Sequence, residues 1–146
     1  MLLGAALLSA ATPAAARWAV DGDMTECRAS SLQGISYDLE RTGKATLFLR
    51  GEEGFTREKA SINVRLAFDE VHSVETSVFL SGGSELGLVK LTPELLDLIT
   101  GASWLSVEKG EEILAGFDLT GSADARRRFS QCIHRMTGGA YRRRSF

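Results

Sequence analysis

Seven arginines stand in the last 21 residues of the chain, at 126–128, 135 and 142–144, with no acid among them. Guanidinium groups form bidentate pairs with phosphates and carboxylates. Arg126, Arg127, Arg128, Arg142, Arg143 and Arg144 are therefore the candidate residues for an anionic partner. Residues 17–125 carry 10 basic and 19 acidic groups, a balance of −9, so these arginines have a second use: solvating one helix face and docking on the acidic body. His72 is the other chemical candidate. It sits beside Asp69 and Glu70, and an imidazole near carboxylates can take protons at neutral pH. A small hydrolase could use it, yet nothing in the sequence identifies its nucleophile. Ser84 misses the last glycine of a G-x-S-x-G elbow. Asp21, Asp23 and Glu26 lack the glycine-kinked loop of a cation site. Phosphate loops, dinucleotide fingerprints and zinc spacings do not occur, so no metal or cofactor is expected.

The two cysteines, Cys27 and Cys132, point to a compartment. Residues 1–16 read MLLGAALLSAATPAAA, an uncharged apolar run closed by an A-x-A site, which is the pattern of a secretory signal. In an oxidising space a single cysteine pair becomes a disulfide, so Cys27 and Cys132 are expected to join. The expected organisation is a signal peptide over 1–16, one β-rich domain over 17–137 and a flexible basic tail over 138–146. The expected location is periplasmic or secreted.

The elements that must position these residues are mostly strands. Runs at 46–49, 62–68 and 74–80 are β-branched or aromatic, separated by turn residues at 41–44, 51–54 and 81–84. Ile62, Val64, Leu66 and Phe68 share one face, opposite Asn63 and Arg65, as in a half-buried antiparallel strand. Segments 26–29 and 35–39 read as two more strands, and 102–107 with 111–117 as a hairpin around Lys109–Gly110. Thr92-Pro93-Glu94 starts a helix over about 92–100, closed by Gly101. Ser122 is expected to cap a helix over about 122–136, with Ala125, Phe129, Cys132, Ile133 and Met136 on its apolar face and His134 on its polar face. Trp18 and Trp104 are expected to be at least partly buried.

Alternating half-buried strands need a second layer over their apolar faces. The fold expected is therefore mainly β: an antiparallel β-sandwich or flattened barrel of seven to nine strands with two short peripheral helices. Hydrophobic residues make 44% of the 146 and charged residues 25%, which excludes a disordered or coiled-coil chain. A net charge of −2 argues against a wholesale nucleic-acid binder.

Trp18 ahead of Cys27, and the stretch from Leu86 to Ala125, resemble the invasion-associated locus B family of exported alphaproteobacterial proteins. The matching features are a short helix at 92–100, Gly101, a hairpin at 102–117, Leu119-Thr120-Gly121 and an alanine, Ala125, in the last helix. A second internal cysteine pair of that family is missing here, Ser84 to Leu86 occupying the region. The resemblance implies an envelope protein linked to host-cell interaction, and no catalytic residues. The reading is an exported, non-enzymatic protein that binds an envelope or host protein or an anionic surface, with peripheral membrane contact as one form of this. A small hydrolase using His72 and nearby acids, or a structural envelope component, are the other expectations.

Overall fold

The computed structural model describes residues 17–51, 59–81 and 86–138. Residues 1–16, where a signal peptide is expected, Glu52–Glu53, Ser84 and Arg142, Arg143 and Arg144 lie outside them. Nine antiparallel strands form one sheet: β1 (Trp18–Gly22), β2 (Glu26–Ser31), β3 (Ile35–Glu40), β4 (Ala45–Arg50), β5 (Lys59–Phe68), β6 (His72–Ser81), β7 (Leu86–Lys90), β8 (Trp104–Lys109) and β9 (Glu112–Asp118). Their spatial order is β1-β2-β3-β4-β7-β6-β5-β8-β9. The first four strands form a meander. The chain then enters the sheet again at β5 and returns through β6 to set β7 against β4. This is the sandwich-like or flattened-barrel class that the strand alternation predicts.

One face of the sheet holds the core. Leu47 and Leu49, Val64 and Leu66, Val78, Val89, Leu105 and Val107 are all buried there. The sheet does not close on itself, but its two edges meet at one end. Arg17 Nη1 donates to Asp118 Oδ2 at 3.1 Å, and Trp18 Nε1 donates to the Thr120 carbonyl at 3.0 Å. Helix α2 (Ser122–Thr137) then lies along β1 and β2. Its stripe of Ala125, Phe129, Cys132, Ile133 and Met136 is buried as the helical spacing requires. Phe129 stands edge-on to Tyr37 at 4.8 Å, and Tyr37 packs on Trp18 at 5.9 Å. Cys132 is bonded to Cys27 of β2. The tie is close-fitting, since a side chain at Gly22 would collide with Cys132 Sγ and approach the Glu26 carbonyl to 2.6 Å.

Helix α1 (Pro93–Gly101) starts as its sequence dictates: Thr92 Oγ1 accepts from the Leu95 N–H at 3.1 Å, and proline fills the first turn. The start of α2 differs from expectation. Its cap is Gly121, at φ 91°, and Ser122 is the first helical residue. The Ser122 hydroxyl turns inward and donates to the Ile99 carbonyl at 3.0 Å, satisfying the end of α1 in place of its own helix. The two tryptophans also part ways. Trp18 is buried, whereas Trp104 is 49% exposed, its indole laid over Gly116 of the neighbouring strand.

Candidate functional site

The structure brings Arg126, Arg127 and Arg128 together on the first turns of α2, and each meets an acid. Arg126 pairs with Asp97 of α1. Arg127 donates to Asp124 Oδ1 at 2.6 Å and Arg128 to Asp124 Oδ2 at 2.9 Å. Arg128 also donates to the Trp18 carbonyl at 3.1 Å, so it ties α2 to the edge strand. The hydrogen bond from Arg127, and then that from Arg128, holds the Asp124 carboxyl below its ordinary range.

His72 opens β6, exposed at the turn after β5. With Glu70 and Ser73 it lines a groove of about 340 Å³ whose wall is the Arg65–Glu108 ion pair. Among the described residues no hydrogen bond joins His72 to a carboxylate or a hydroxyl. Asp69 faces elsewhere. Its carboxylate accepts from the Ser103 N–H and hydroxyl and from the Trp104 N–H, at 2.9–3.2 Å. These bonds fix the entry to β8 and hold the Asp69 carboxyl below its ordinary range, the Ser103 N–H contributing most. They also anchor a turn in which Asp69 and Glu70 both take left-handed backbone, at φ 53° and 59°, a conformation non-glycine residues adopt at a cost. Asp23 closes the β1–β2 turn: Oδ1 accepts from the Thr25 N–H and hydroxyl and the Glu26 N–H. Among the described residues no group of three or more potential ligands converges.

The feature that sequence reading missed lies on the outer face of the sheet. Registered pairs run Ser30, Ser36, Phe48, Leu88, Phe79, Ser61 straight across β2, β3, β4, β7, β6 and β5. At about 4.8 Å per strand this row is about 24 Å long. Phe79 is 42% exposed; Phe48 and Leu88 are half-buried. One step along the strands lies a second row, Arg28, Asp38, Thr46, Lys90. Arg28 donates to Asp38 Oδ2 at 2.9 Å and lays its guanidinium over the Phe48 ring at 5.0 Å, which buries Asp38 and fixes the ring. One step to the other side, Arg50 pairs with Leu86. A groove of about 410 Å³ opens there, lined by Ser30, Gln33, Ser36, Arg50 and Leu86 among others. The alternation of Leu47 and Leu49 around Phe48 could have assigned Phe48 to this face. The pairing of β4 with β7, which joins it to Leu88, is not local in sequence.

No family model, no curated protein and no solved structure matches this chain. The disulfide is a bond that persists in a non-reducing compartment. Among the described residues no helix is long and apolar enough to cross a membrane.

Proposed function

We propose that the chain is an exported, non-enzymatic binding domain of the bacterial envelope, periplasmic or secreted, that holds an envelope or host protein against the outer face of its sheet. The observation that carries this reading is the Phe48–Leu88–Phe79 row, three apolar side chains in register on a face with no covering layer among the described residues. Apolar side chains gathered on a surface, rimmed by polar ones, mark interaction sites. The disulfide and the resemblance to invasion-associated locus B proteins support export. A photo-crosslinking residue at position 79, compared with one at Asn63 on the same face, tests the site in the native envelope. A discrete adduct from 79 and none from 63 is expected. Equal labelling from both positions refutes it.

The hydrolase reading keeps one observation, the shared groove of His72, Glu70 and Ser73. Esterase or peptidase turnover that disappears in His72→Ala would establish it in place of the binding reading.

A further inference from the structure

We infer that the Phe48–Leu88–Phe79 row takes an acidic polypeptide segment bearing apolar side chains, its carboxylates meeting Arg50 and Lys90. The inference rests on the binding reading above and names its partner chemistry. On β4 the outward residues are Thr46, Phe48 and Arg50; on β7 they are Leu86, Leu88 and Lys90. The registers Thr46↔Lys90, Phe48↔Leu88 and Arg50↔Leu86 put one cation on each side of the central apolar pair. Two residues along a strand span about 6.8 Å. Each charge therefore stands within reach of a ligand group seated beside the row.

These two cations differ from the first three arginines of α2. Arg126, Arg127 and Arg128 all meet acids, whereas neither Arg50 nor Lys90 has an ion-pair partner among the described residues. The third cation nearby, Arg28, is neutralised by Asp38 and serves to hold the Phe48 ring. The row is thus flanked by positive charge on a body, residues 17–125, whose balance is −9. A purely apolar partner would desolvate both cations without compensation, and a basic one would be repelled. An acidic partner pairs them at the rim of the contact.

The shape favours a polypeptide over a membrane. Phe48 and Leu88 are half-buried in a sheet face, whereas insertion into a bilayer interface needs an apolar face that enters by about 5–10 Å. The row of about 24 Å suits roughly seven residues of extended chain. The groove at its end offers the Ser30 and Ser36 hydroxyls and Gln33 for main-chain hydrogen bonds.

The test selects a phage-displayed library of random dodecapeptides on the oxidised protein and maps the enriched peptides by NMR shifts. Acidic peptides with aromatic or leucine side chains are expected, shifting the amides of Phe48, Leu88 and Phe79. Their affinity should fall with salt and drop roughly fivefold or more on each of Arg50→Glu and Lys90→Glu. Unchanged near-ultraviolet circular dichroism shows that both variants fold. Neutral or basic peptides on this face overturn the acidic partner and leave the binding reading standing. Peptides that all settle elsewhere, or no enrichment, overturn both. Phosphatidylglycerol vesicles that bind the protein through Phe79, with no peptide on the face, assign the surface to lipid and overturn the inference as well.

Discussion

Breaking the Cys27–Cys132 bond is the perturbation with the largest expected effect on the fold. The two residues are 105 apart, so the bond closes a loop containing nearly the whole described chain. In the chain-entropy model a loop of that length restricts the unfolded state by about 4.7 kcal/mol at 25 °C. A domain of this size stands only about 5–15 kcal/mol above its unfolded state. Reduction should therefore remove a large part of the stability without removing an atom from the core. The effect must appear in global unfolding only if α2 stays docked when the bond is gone. Phe129, Ile133 and Met136 remain buried against the sheet, which makes docking the expected outcome. With a urea slope of about 1.5 kcal/mol/M, the midpoint should fall by about 3 M on adding reductant. Far-ultraviolet circular dichroism and the fluorescence of Trp18 should move together. A difference under about 1 kcal/mol would refute the reasoning, because the crosslink would then join segments already associated in the unfolded chain. Two thiols alkylated in the unreduced native protein would refute the bond itself.

Three further outcomes follow from the same packing. Phe129→Ala removes a fully buried ring that stands edge-on to Tyr37 and should cost about 3–5 kcal/mol in denaturant melts; a loss under about 1 kcal/mol would mean that α2 is not docked here. Burial raises the Tyr37 hydroxyl above its ordinary 10.0, and that hydroxyl has no hydrogen-bond partner among the described residues. The folded state then keeps its proton while the unfolded chain loses it, so stability falls as the pH rises above 10.0. Tyr37→Phe should remove that contribution and, at neutral pH, leave stability unchanged or raised by about 1 kcal/mol; a large loss at neutral pH would refute the orphaned hydroxyl. The Ser103 bonds hold Asp69 below its ordinary 3.8. They add stability that is fully present above that pH and lost as the pH falls through the lowered value. Asp69→Asn should be less stable than the wild type at neutral pH, and the two should converge as the pH falls below the lowered value. Parallel acid profiles would show that the carboxylate does not make these bonds.

The parts of the fold that were legible are those governed by local rules. Thr92-Pro93-Glu94 starts a helix wherever it is placed, and the spacing of Phe129, Cys132, Ile133 and Met136 allows only one face of α2 to be buried. Local rules favour Ser122 over Gly121 as the cap, because the serine offers a side-chain acceptor. The serine is claimed by the Ile99 carbonyl, a tertiary partner that no local pattern reveals. Trp104 is exposed for a comparable reason. It points to the outer face because Leu105 and Val107 point inward, and Gly116 of β9 gives its indole a flat bed. The outer row needed the strand order itself. Phe79 and Leu88 are close in the chain, but Phe48 lies far from both, and only the return of β7 between β4 and β6 aligns the three.

Charge shows the same division between local pattern and tertiary outcome. The contrast between an acidic body and an arginine-rich end is plain in the sequence, and by itself it suggests that the arginines face outward to an anion. In the fold, the first three arginines of that end lie within reach of Asp97 and Asp124. One of these carboxylates belongs to α1 and the other to the first turn of α2 itself, and part of the contrast is consumed within the molecule. Two of the cations without acid partners among the described residues are read from the rows of the sheet instead: Arg50 and Lys90 flank an apolar pair, where a carboxylate brought by a partner would gain both an ion pair and an apolar contact. Their placement depends on the alternation of β4 and β7 and not on any cluster in the sequence. The basic run 126–128 is thus spent on acids of the two helices, while charge without an ion-pair partner among the described residues stands beside apolar side chains on the outer face.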